Sequence, residues 1–221
     1  MNIVLTREVG KNDELRSWMP SNANCAEVPV TRTDWFEEEV VANSLLATKT
    51  IFKSLVVTSE RTSAYLHLLP PFLSSNAEVF SVGSSTTRAL EAHGLTVCAQ
   101  SLSGAKYLAN QIAQGPVLLL GAKGMRDELA ALLRARFVVE VVHCYETRAT
   151  ELSATHQAEL QGADVVIIGA PSAWQAAAPF ISNDCLVVVP GESTAQAVRR
   201  SHSRVLQSWG PAMGAVIARE F

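Results

Sequence analysis

The chain contains the stretch Val82-Gly83-Ser84-Ser85-Thr86-Thr87-Arg88-Ala89-Leu90 and a related one, Pro190-Gly191-Glu192-Ser193-Thr194-Ala195-Gln196-Ala197-Val198. Each follows a short apolar run and opens a segment with helical spacing. A glycine lets the backbone turn tightly after a strand, and a neighbouring Ser or Thr can cap the helix that follows. The unpaired N–H groups and the dipole of a helix start favour anions. The two stretches therefore predict two strand–turn–helix units, each with an anion-binding turn.

Both stretches belong to a longer internal repeat. Aligning residue 71 with residue 179 gives nine identities over residues 71–101, at Pro71, Phe72, Ser74, Val79, Gly83, Ser85, Thr86, Ala89 and Val97. A second repeat relates Gly10-x-x-Asp13-Glu14-Leu15 to Gly124-x-x-Asp127-Glu128-Leu129. We call the strand–helix–strand segments 3–30 and 117–143 module X, and the longer segments 35–113 and 153–207 module Y. The order along the chain is X-Y-X-Y.

Strands and helices alternate without hairpin turn signals, which predicts parallel sheets with helices on both faces. Two flavodoxin-like α/β domains would account for the modules. The residues leave the pairing open, because each X could join the Y after it, or the first X could join the last Y. The second arrangement needs two crossings, near residues 30–33 and 145–148, where we expect extended, paired segments. A helix is predicted from Trp35 to Ala47, and another from Glu60 to Leu69.

Composition excludes several classes of function. The 221 residues are 48% hydrophobic and 18% charged, with a formal net charge of −3, so no nucleic-acid partner is expected. The apolar runs are too short to span a membrane, and the first residues do not resemble a signal peptide. The isolated cysteines and scattered histidines predict reduced thiols in a cytoplasmic protein, with no metal site.

Ligands of open parallel sheets bind beyond the carboxyl ends of the strands. The candidate binding residues at those ends are Thr6, Arg7, Thr58, Ser59, Gly83, Ser84, Ser85, Thr86, Lys123, Pro171, Ser172, Ala173, Gly191, Ser193 and Thr194. Most are small or hydroxylic, and Arg7, Lys123 and Arg126 add positive charge. Such a surface suits a polyanionic ligand held by many weak donors. The competing interpretation is that each Ser or Thr only caps a helix.

Tyr145 is the candidate catalytic residue. It stands at a predicted crossing, beside the expected cleft, and an unperturbed phenol is a proton or hydrogen-bond donor at neutral pH. The alternative is a packing residue with a satisfied hydroxyl. Nucleotide-dependent chemistry is not expected, because the sequence has neither a dinucleotide-binding glycine fingerprint nor a phosphate-binding loop.

The chain resembles the uroporphyrinogen-III synthase family over essentially its whole length. The resemblance is carried in order by Val4-Leu5-Thr6-Arg7, Val56-Val57-Thr58-Ser59, Val82-Gly83-Ser84-Ser85-Thr86, Cys144-Tyr145-Glu146-Thr147, Asp164-Val165-Val166-Ile167, Pro171-Ser172-Ala173 and Gly191-Glu192-Ser193-Thr194-Ala195. It implies a discontinuous domain, 1–33 plus 148–221, and a continuous domain, 34–147. A two-stranded β linker would join them, with a cleft between them.

The resemblance also implies the reaction, a cofactor-independent cyclisation of the linear tetrapyrrole hydroxymethylbilane. Loss of the ring A hydroxyl gives an azafulvene cation, and ring D attacks through its substituted carbon to form uroporphyrinogen III, with ring D inverted. Tyr145 would protonate or orient the leaving hydroxyl. The implied protein is a cytoplasmic lyase and a monomer, with the tetrapyrrole as its only partner.

The chain departs from the family pattern at two places. Gly169-Ala170 stands where the family commonly has Thr-Ser, and Glu192 puts a carboxylate in a turn that is expected to meet carboxylates. The competing hypothesis is a non-catalytic protein whose two lobes close on a small polyanionic ligand. Tyr145, Thr86 and Ser172 facing one cleft would favour the enzyme over that binding protein.

Overall fold

The computed structural model describes residues 1–101 and 104–221. Contacts between Cα atoms divide the chain into unit 1, Met1–Thr33 with Thr147–Phe221, and unit 2, Asp34–Glu146. None of the helices in these described ranges is long and apolar enough to cross a membrane.

The strands are β1 (Asn2–Leu5), β2 (Asn24–Glu27), β3 (Thr31–Trp35), β4 (Phe52–Val57), β5 (Leu73–Val82), β6 (Val97–Ser101), β7 (Val117–Lys123), β8 (Val139–Ala149), β9 (Val165–Ile167), β10 (Leu186–Val189) and β11 (Val205–Gln207). The α-helices are α1 (Asp13–Ser17), α2 (Glu38–Thr48), α3 (Ser84–Ala92), α4 (Ala105–Gln111), α5 (Glu128–Arg134), α6 (Ala154–Gln161), α7 (Pro171–Ala177), α8 (Glu192–Arg199) and α9 (Met213–Ile217). Segments Glu60–Leu68, Pro70–Phe72 and Ala178–Phe180 are 3₁₀-helical.

The sheet of unit 1 has the order β11-β10-β9-β1-β2 within the described residues. Every neighbouring pair in it is parallel. The pairing of β1 with β9 joins the first module X to the last module Y. The structure thus selects the second of the two pairings that the residues left open.

Unit 2 repeats this strand order. Its sheet runs β3-β8-β7-β4-β5-β6, again for the described residues, and the pairs from β8 to β6 are parallel. In both units the second strand of X lies beside the first, which pairs with the first strand of Y. Strand β3 adds to the β8 edge, and both β3 and β8 contain a crossing between the units. The fold prediction of parallel α/β sheets with a two-stranded linker is confirmed.

The internal repeats have matching local structure. Gly10 and Gly124 both adopt positive φ angles, +75° and +78°, a region that favours glycine. The 3₁₀ turns Pro70–Phe72 and Ala178–Phe180 also occupy equivalent positions of the two Y modules. The repeats in the sequence therefore correspond to matching turns in the structure.

Strands β9 and β10 contain only apolar residues, and β1 and β7 are apolar over most of their length, because both faces of each sheet are covered. In β1, Val4 packs into the core on one face, while Ile3 and Leu5 pack into the core on the other. Leu118 and Leu119 of β7 divide in the same way between the two cores of unit 2. Side chains alternate across a strand, so burial on both faces removes the polar positions that a half-exposed strand would show.

Two local predictions are wrong. Trp35 is the last residue of β3 instead of the first residue of a helix, because the Phe36 amide still donates to the Cys144 carbonyl, at 3.1 Å, and α2 begins only at Glu38. The second concerns the paired turns, where the N-cap positions of α3 and α8 are Gly83 and Gly191, which have no side-chain oxygen to cap the helix. The helix predicted from Glu60 to Leu69 is present as a 3₁₀ helix over Glu60–Leu68.

The N-cap residue of helix α7 is an alanine, whose side chain cannot accept a hydrogen bond from the first turn. Ala170 has the extended backbone of an N-cap, with φ −155° and ψ 159°, and its carbonyl accepts from the Trp174 amide at 3.2 Å. A serine hydroxyl there could accept from an amide of the first turn. We expect Ala170→Ser to raise the free energy of unfolding by about 1 kcal/mol, measured by urea denaturation.

The matched control is Ala131→Ser, on the exposed side of α5 and inside the helix. It should lower the free energy of unfolding by a few tenths of a kcal/mol, roughly the difference in helix propensity. A result in which Ala170→Ser is no more stable than the starting protein would contradict the capping argument.

Candidate active site

A pocket of about 380 Å³ lies at the carboxyl ends of the strands of unit 2. It is lined by Thr58, Val82, Gly104, Ala105, Leu119, Ala122, Met125, Arg126, Glu128, Leu129 and Tyr145. These residues come from β5, β7 and β8, from the loops that follow β4 and β7, and from the starts of α4 and α5. This is where open parallel sheets bind ligands.

Tyr145 forms a wall of this pocket and is held by its neighbours. Only 5% of the residue is exposed. Its ring centroid lies 5.9 Å from that of Trp35, and the Arg61 guanidinium carbon lies 5.6 Å from the ring centre. Aromatic and cation–π contacts of this kind favour a fixed ring orientation. The tyrosine is therefore packed on its ring while still lining the pocket.

Tyr65 provides a contrast within the same aromatic cluster. Its hydroxyl donates to the Phe36 carbonyl at 2.5 Å, and its ring lies 6.3 Å from Trp35. Burial, the first cause, together with the nearby Cys144, Glu37 and Glu38, raises the pKa of Tyr65. The Tyr65 hydroxyl is therefore used in a hydrogen bond within the fold, whereas Tyr145 lines the pocket.

Thr58 is fixed by the strand next to it. Its hydroxyl donates to the Leu120 carbonyl at 3.0 Å and lies 3.8 Å from the Met125 sulfur. A side chain at Gly121 would overlap both Met125 and the Thr58 hydroxyl. The absence of a β-carbon at Gly121 thus allows Thr58 and Met125 to meet at the edge of the pocket.

Ser59 and Lys123 flank this edge. The Ser59 hydroxyl accepts from the Arg61 amide at 3.3 Å and so caps the 3₁₀ segment that follows. The Lys123 ammonium lies 3.7 Å from a carboxylate oxygen of Glu146, and both side chains are partly exposed. Exposed ion pairs contribute only up to about 1 kcal/mol, so an anionic ligand can compete for this lysine.

The first repeated turn presents two hydroxyls and buries a third. Gly83 has φ +84°, Ser84 and Ser85 are exposed, and Thr86 is buried. Beneath the turn, the Thr87 hydroxyl shares a 2.6 Å hydrogen bond with Ser81 and lies 2.7 Å from the Gln100 amide oxygen. These bonds fix the start of α3, so Ser84 and Ser85 are the residues that the turn offers to a ligand.

Unit 1 places its predicted residues at the carboxyl ends of β1, β9 and β10. The Thr6 hydroxyl is fully buried and donates to the Ile167 carbonyl at 2.6 Å. Arg7 is half-buried, and a β-carbon at Gly169 would lie 3.8 Å from its Cγ. Thr6 therefore ties β1 to β9, while Arg7 is the positive charge at this edge.

The starts of α7 and α8 expose one hydroxyl each. Pro171 is the first residue of α7, Ser172 is exposed and Ala173 is buried. In the second repeated turn Gly191 is half-buried with an extended backbone, Ser193 is exposed and Thr194 is buried. The prediction that all these residues bind substrate stays a prediction, and the structure separates the exposed Ser172 and Ser193 from the buried Thr194.

Residues 21–218 match the family described as Uroporphyrinogen-III synthase HemD. The chain belongs to the uroporphyrinogen-III synthase family. Its fold is similar to that of a mutant uroporphyrinogen III synthase of Thermus thermophilus, with 14% identity, coverage of 100% of this chain and 97% of the other, and a TM-score of 0.70. The uroporphyrinogen-III synthetase of Helicobacter pylori gives 16% identity, coverage of 99% and 97%, and a TM-score of 0.65. No curated protein sequence matches the chain significantly.

The carboxylate of Glu192 is compensated within its own helix. One oxygen accepts from the Gln196 amide nitrogen at 3.0 Å, and the other lies 3.5 Å from the Arg199 guanidinium. Both partners follow one and two helical turns later, so the carboxylate is drawn along α8. The repulsion expected from Glu192 in this uroporphyrinogen-III synthase family member is thereby reduced.

The pocket adds residues that the sequence did not single out. Trp35 and Arg61 contact the Tyr145 ring, and Met125 and Glu128 line the pocket. Glu128 was visible only as part of an acidic pair that suits a helix start. No sequence signal marks Trp35 or Arg61, because their role depends on which residues β3 and the 3₁₀ segment bring beside β8.

The close packing around Gly121 predicts that a larger residue at this position destabilises the fold. Gly121→Ala should lower the free energy of unfolding by about 1–3 kcal/mol, the usual cost of overpacking, because the new methyl group displaces Met125 and the Thr58 hydroxyl. Urea denaturation measures the change. Gly191→Ala is the control for stability, since among the described residues its added methyl group would meet no atom within 4 Å. Equal stabilities of the two variants would refute this packing argument.

Proposed function

We propose that this chain is a uroporphyrinogen-III synthase, a lyase that cyclises hydroxymethylbilane to uroporphyrinogen III with ring D inversion and loss of water. Membership of the family, from the match over residues 21–218, is the observation that carries the proposal. The pocket of unit 2 supports it, because a tyrosine and an arginine line one cavity at the carboxyl ends of parallel strands.

Tyr145 is the proposed catalytic residue. Its hydroxyl donates a proton to the ring A hydroxyl as the carbon–oxygen bond breaks, and the oxygen leaves as water with both bonding electrons. Ring D attacks the azafulvene cation that remains through its substituted carbon, which forms a new carbon–carbon bond to the ring A methylene. The bond from that carbon to the methylene leading to ring C then breaks, and this methylene bonds to the free α carbon of ring D, which inverts the ring and leaves a proton to be lost from that carbon. The proton that the tetrapyrrole finally loses balances the one that Tyr145 donated. The net change is loss of one water, without any redox step.

The remaining predicted residues are proposed to hold the folded tetrapyrrole. Ser84, Ser85, Lys123, Ser172 and Ser193 are exposed and offer donors to the substrate carboxylates. The other proposed contacts or supports are Thr6, Arg7, Thr58, Ser59, Gly83, Thr86, Pro171, Ala173, Gly191 and Thr194. Much of the rate enhancement would then come from orientation, because the linear substrate must be held curled for ring D to react correctly.

Several parts of the proposal come from the sequence and the resemblance. We propose domains 1–33 plus 148–221 and 34–147, a monomeric protein, a cytoplasmic location, and a reaction without cofactor or nucleic acid. Among the described residues, no group of three or more His, Cys, Asp or Glu side chains is arranged to hold a metal ion.

The deciding experiment supplies freshly generated hydroxymethylbilane and resolves the uroporphyrin isomers after oxidation. We expect predominantly type III, at a rate that rises with protein concentration, because the spontaneous reaction gives the other isomer. Type I alone, at the rate without protein, would overturn the proposal and favour the non-catalytic binding protein.

Tyr145→Phe tests the catalytic assignment. Removing the hydroxyl should lower kcat by about 100-fold, the lower end of what a general acid contributes, while the ring contacts with Trp35 and Arg61 persist. Tyr65→Phe is the matched control, because it removes a buried hydroxyl from the same cluster. It should cost about 1 kcal/mol of stability through the lost hydrogen bond and leave kcat unchanged. Unchanged turnover in Tyr145→Phe would remove the role assigned to this tyrosine.

A further inference from the structure

The pocket of unit 2 combines two opposite charges with apolar walls. Arg126 lies in the loop between β7 and α5, and Glu128 is the first residue of α5. We propose that this pocket binds the pyrrole ring that carries the hydroxymethyl group, with Arg126 binding a carboxylate of that ring and Glu128 facing the cation that forms on it. The proposal rests on the proposed function and assigns one ring of the substrate to one place.

The size and walls of the pocket fit a single substituted pyrrole. Its volume of about 380 Å³ is at the lower end of the range of about 300–1,000 Å³ found for small-molecule sites. Val82, Leu119 and Leu129 supply apolar surface for the faces of a flat ring. A pocket of this size takes one ring, and the other three rings of the tetrapyrrole must lie outside it.

The guanidinium of Arg126 can bind a carboxylate side chain of a pyrrole ring. A guanidinium can bind a carboxylate through two parallel hydrogen bonds, which fixes its orientation as well as its position. The adjacent carboxylate of Asp127 is engaged by Arg134, 3.0 Å away on the last turn of α5. The Asp127 charge is thereby drawn along α5, toward Arg134. Among the residues that line this pocket, Arg126 is the one with a positive charge, and it is therefore the residue proposed to bind an anionic substituent.

In a pocket that bound only anions, the negative charge of Glu128 would repel the ligand. The reaction explains it, because the ring that loses its hydroxyl becomes positively charged. A carboxylate that lines the same partly enclosed pocket stabilises that charge as it develops, and it needs no proton transfer to do so. Tyr145 lines the pocket as well, so the proton donor, the leaving group and the stabilising carboxylate come together at one ring.

Removal of the charge of Arg126 and removal of the charge of Glu128 should have different kinetic effects. Arg126→Gln should raise KM for hydroxymethylbilane about tenfold, because it removes binding common to the ground and transition states. Glu128→Gln should lower kcat about tenfold or more with little change in KM, because its interaction grows only as the cation forms. Ala105→Leu, which fills the pocket at the start of α4, should raise KM as Arg126→Gln does.

Matched controls are available on neighbouring helices. Lys106→Gln on α4 and Glu91→Gln on α3 each remove one exposed charge of unit 2 outside the pocket lining, and both should leave kcat and KM unchanged. An unchanged KM in both Arg126→Gln and Ala105→Leu would overturn the ring assignment. An unchanged kcat in Glu128→Gln would overturn the role of the carboxylate.

A binding measurement separates this proposal from the proposed function. The probe is a monopyrrole with one acetate and one propionate side chain, followed by NMR saturation transfer from the full chain. We expect binding by the starting protein, and its loss in both Arg126→Gln and Ala105→Leu. This result would support the pocket even if no type III isomer formed. Type III formation without monopyrrole binding at the pocket would overturn the ring assignment alone.

Discussion

The parallel pairing of β1 with β9 is the interaction on which the architecture depends. It places residues 3–5 in register with residues 165–167, far apart in the sequence. Two further bonds reinforce it at one end, since the Asn2 amide donates to the Asp164 carboxylate at 2.7 Å and the Asp164 amide donates to the Asn2 carbonyl at 3.0 Å. This pairing makes unit 1 discontinuous and leaves unit 2 as an insertion.

Parallel pairing also decides where chemistry can occur. All carboxyl ends of a parallel sheet lie at one edge, so turns separated in sequence deliver their first residues to a common surface. In unit 2 the edge is occupied by a threonine tied to β7, a tyrosine packed by Trp35 and Arg61, and the loop that carries Arg126. The cores below are apolar, and burial in one of them raises the pKa of the Cys144 thiol to about 12.

The pocket is built from rigid supports beneath a small number of polar groups. Thr58 is held by the Leu120 carbonyl, Gly121 makes room for Met125, and Tyr65 fixes the aromatic cluster through the Phe36 carbonyl. Ligand binding does not have to order these supporting residues, because their hydrogen bonds are already made in the fold. The opposite charges of Arg126 and Glu128 then give the pocket a chemistry that suits the proposed binding of an acidic ring that becomes a cation.

The sequence by itself determined the modules, the parallel α/β class and the family, because these depend on local signals: apolar runs of strand length, glycines with positive φ at Gly10, Gly83 and Gly124, and motifs in a fixed order. It also pointed to Tyr145. The family resemblance implied that the first X joins the last Y, but only the tertiary structure showed it, since hydrogen bonds between distant strands leave no local trace. The same reason applies to Trp35 and Arg61, whose contacts with Tyr145 arise only when separate elements pack around β8.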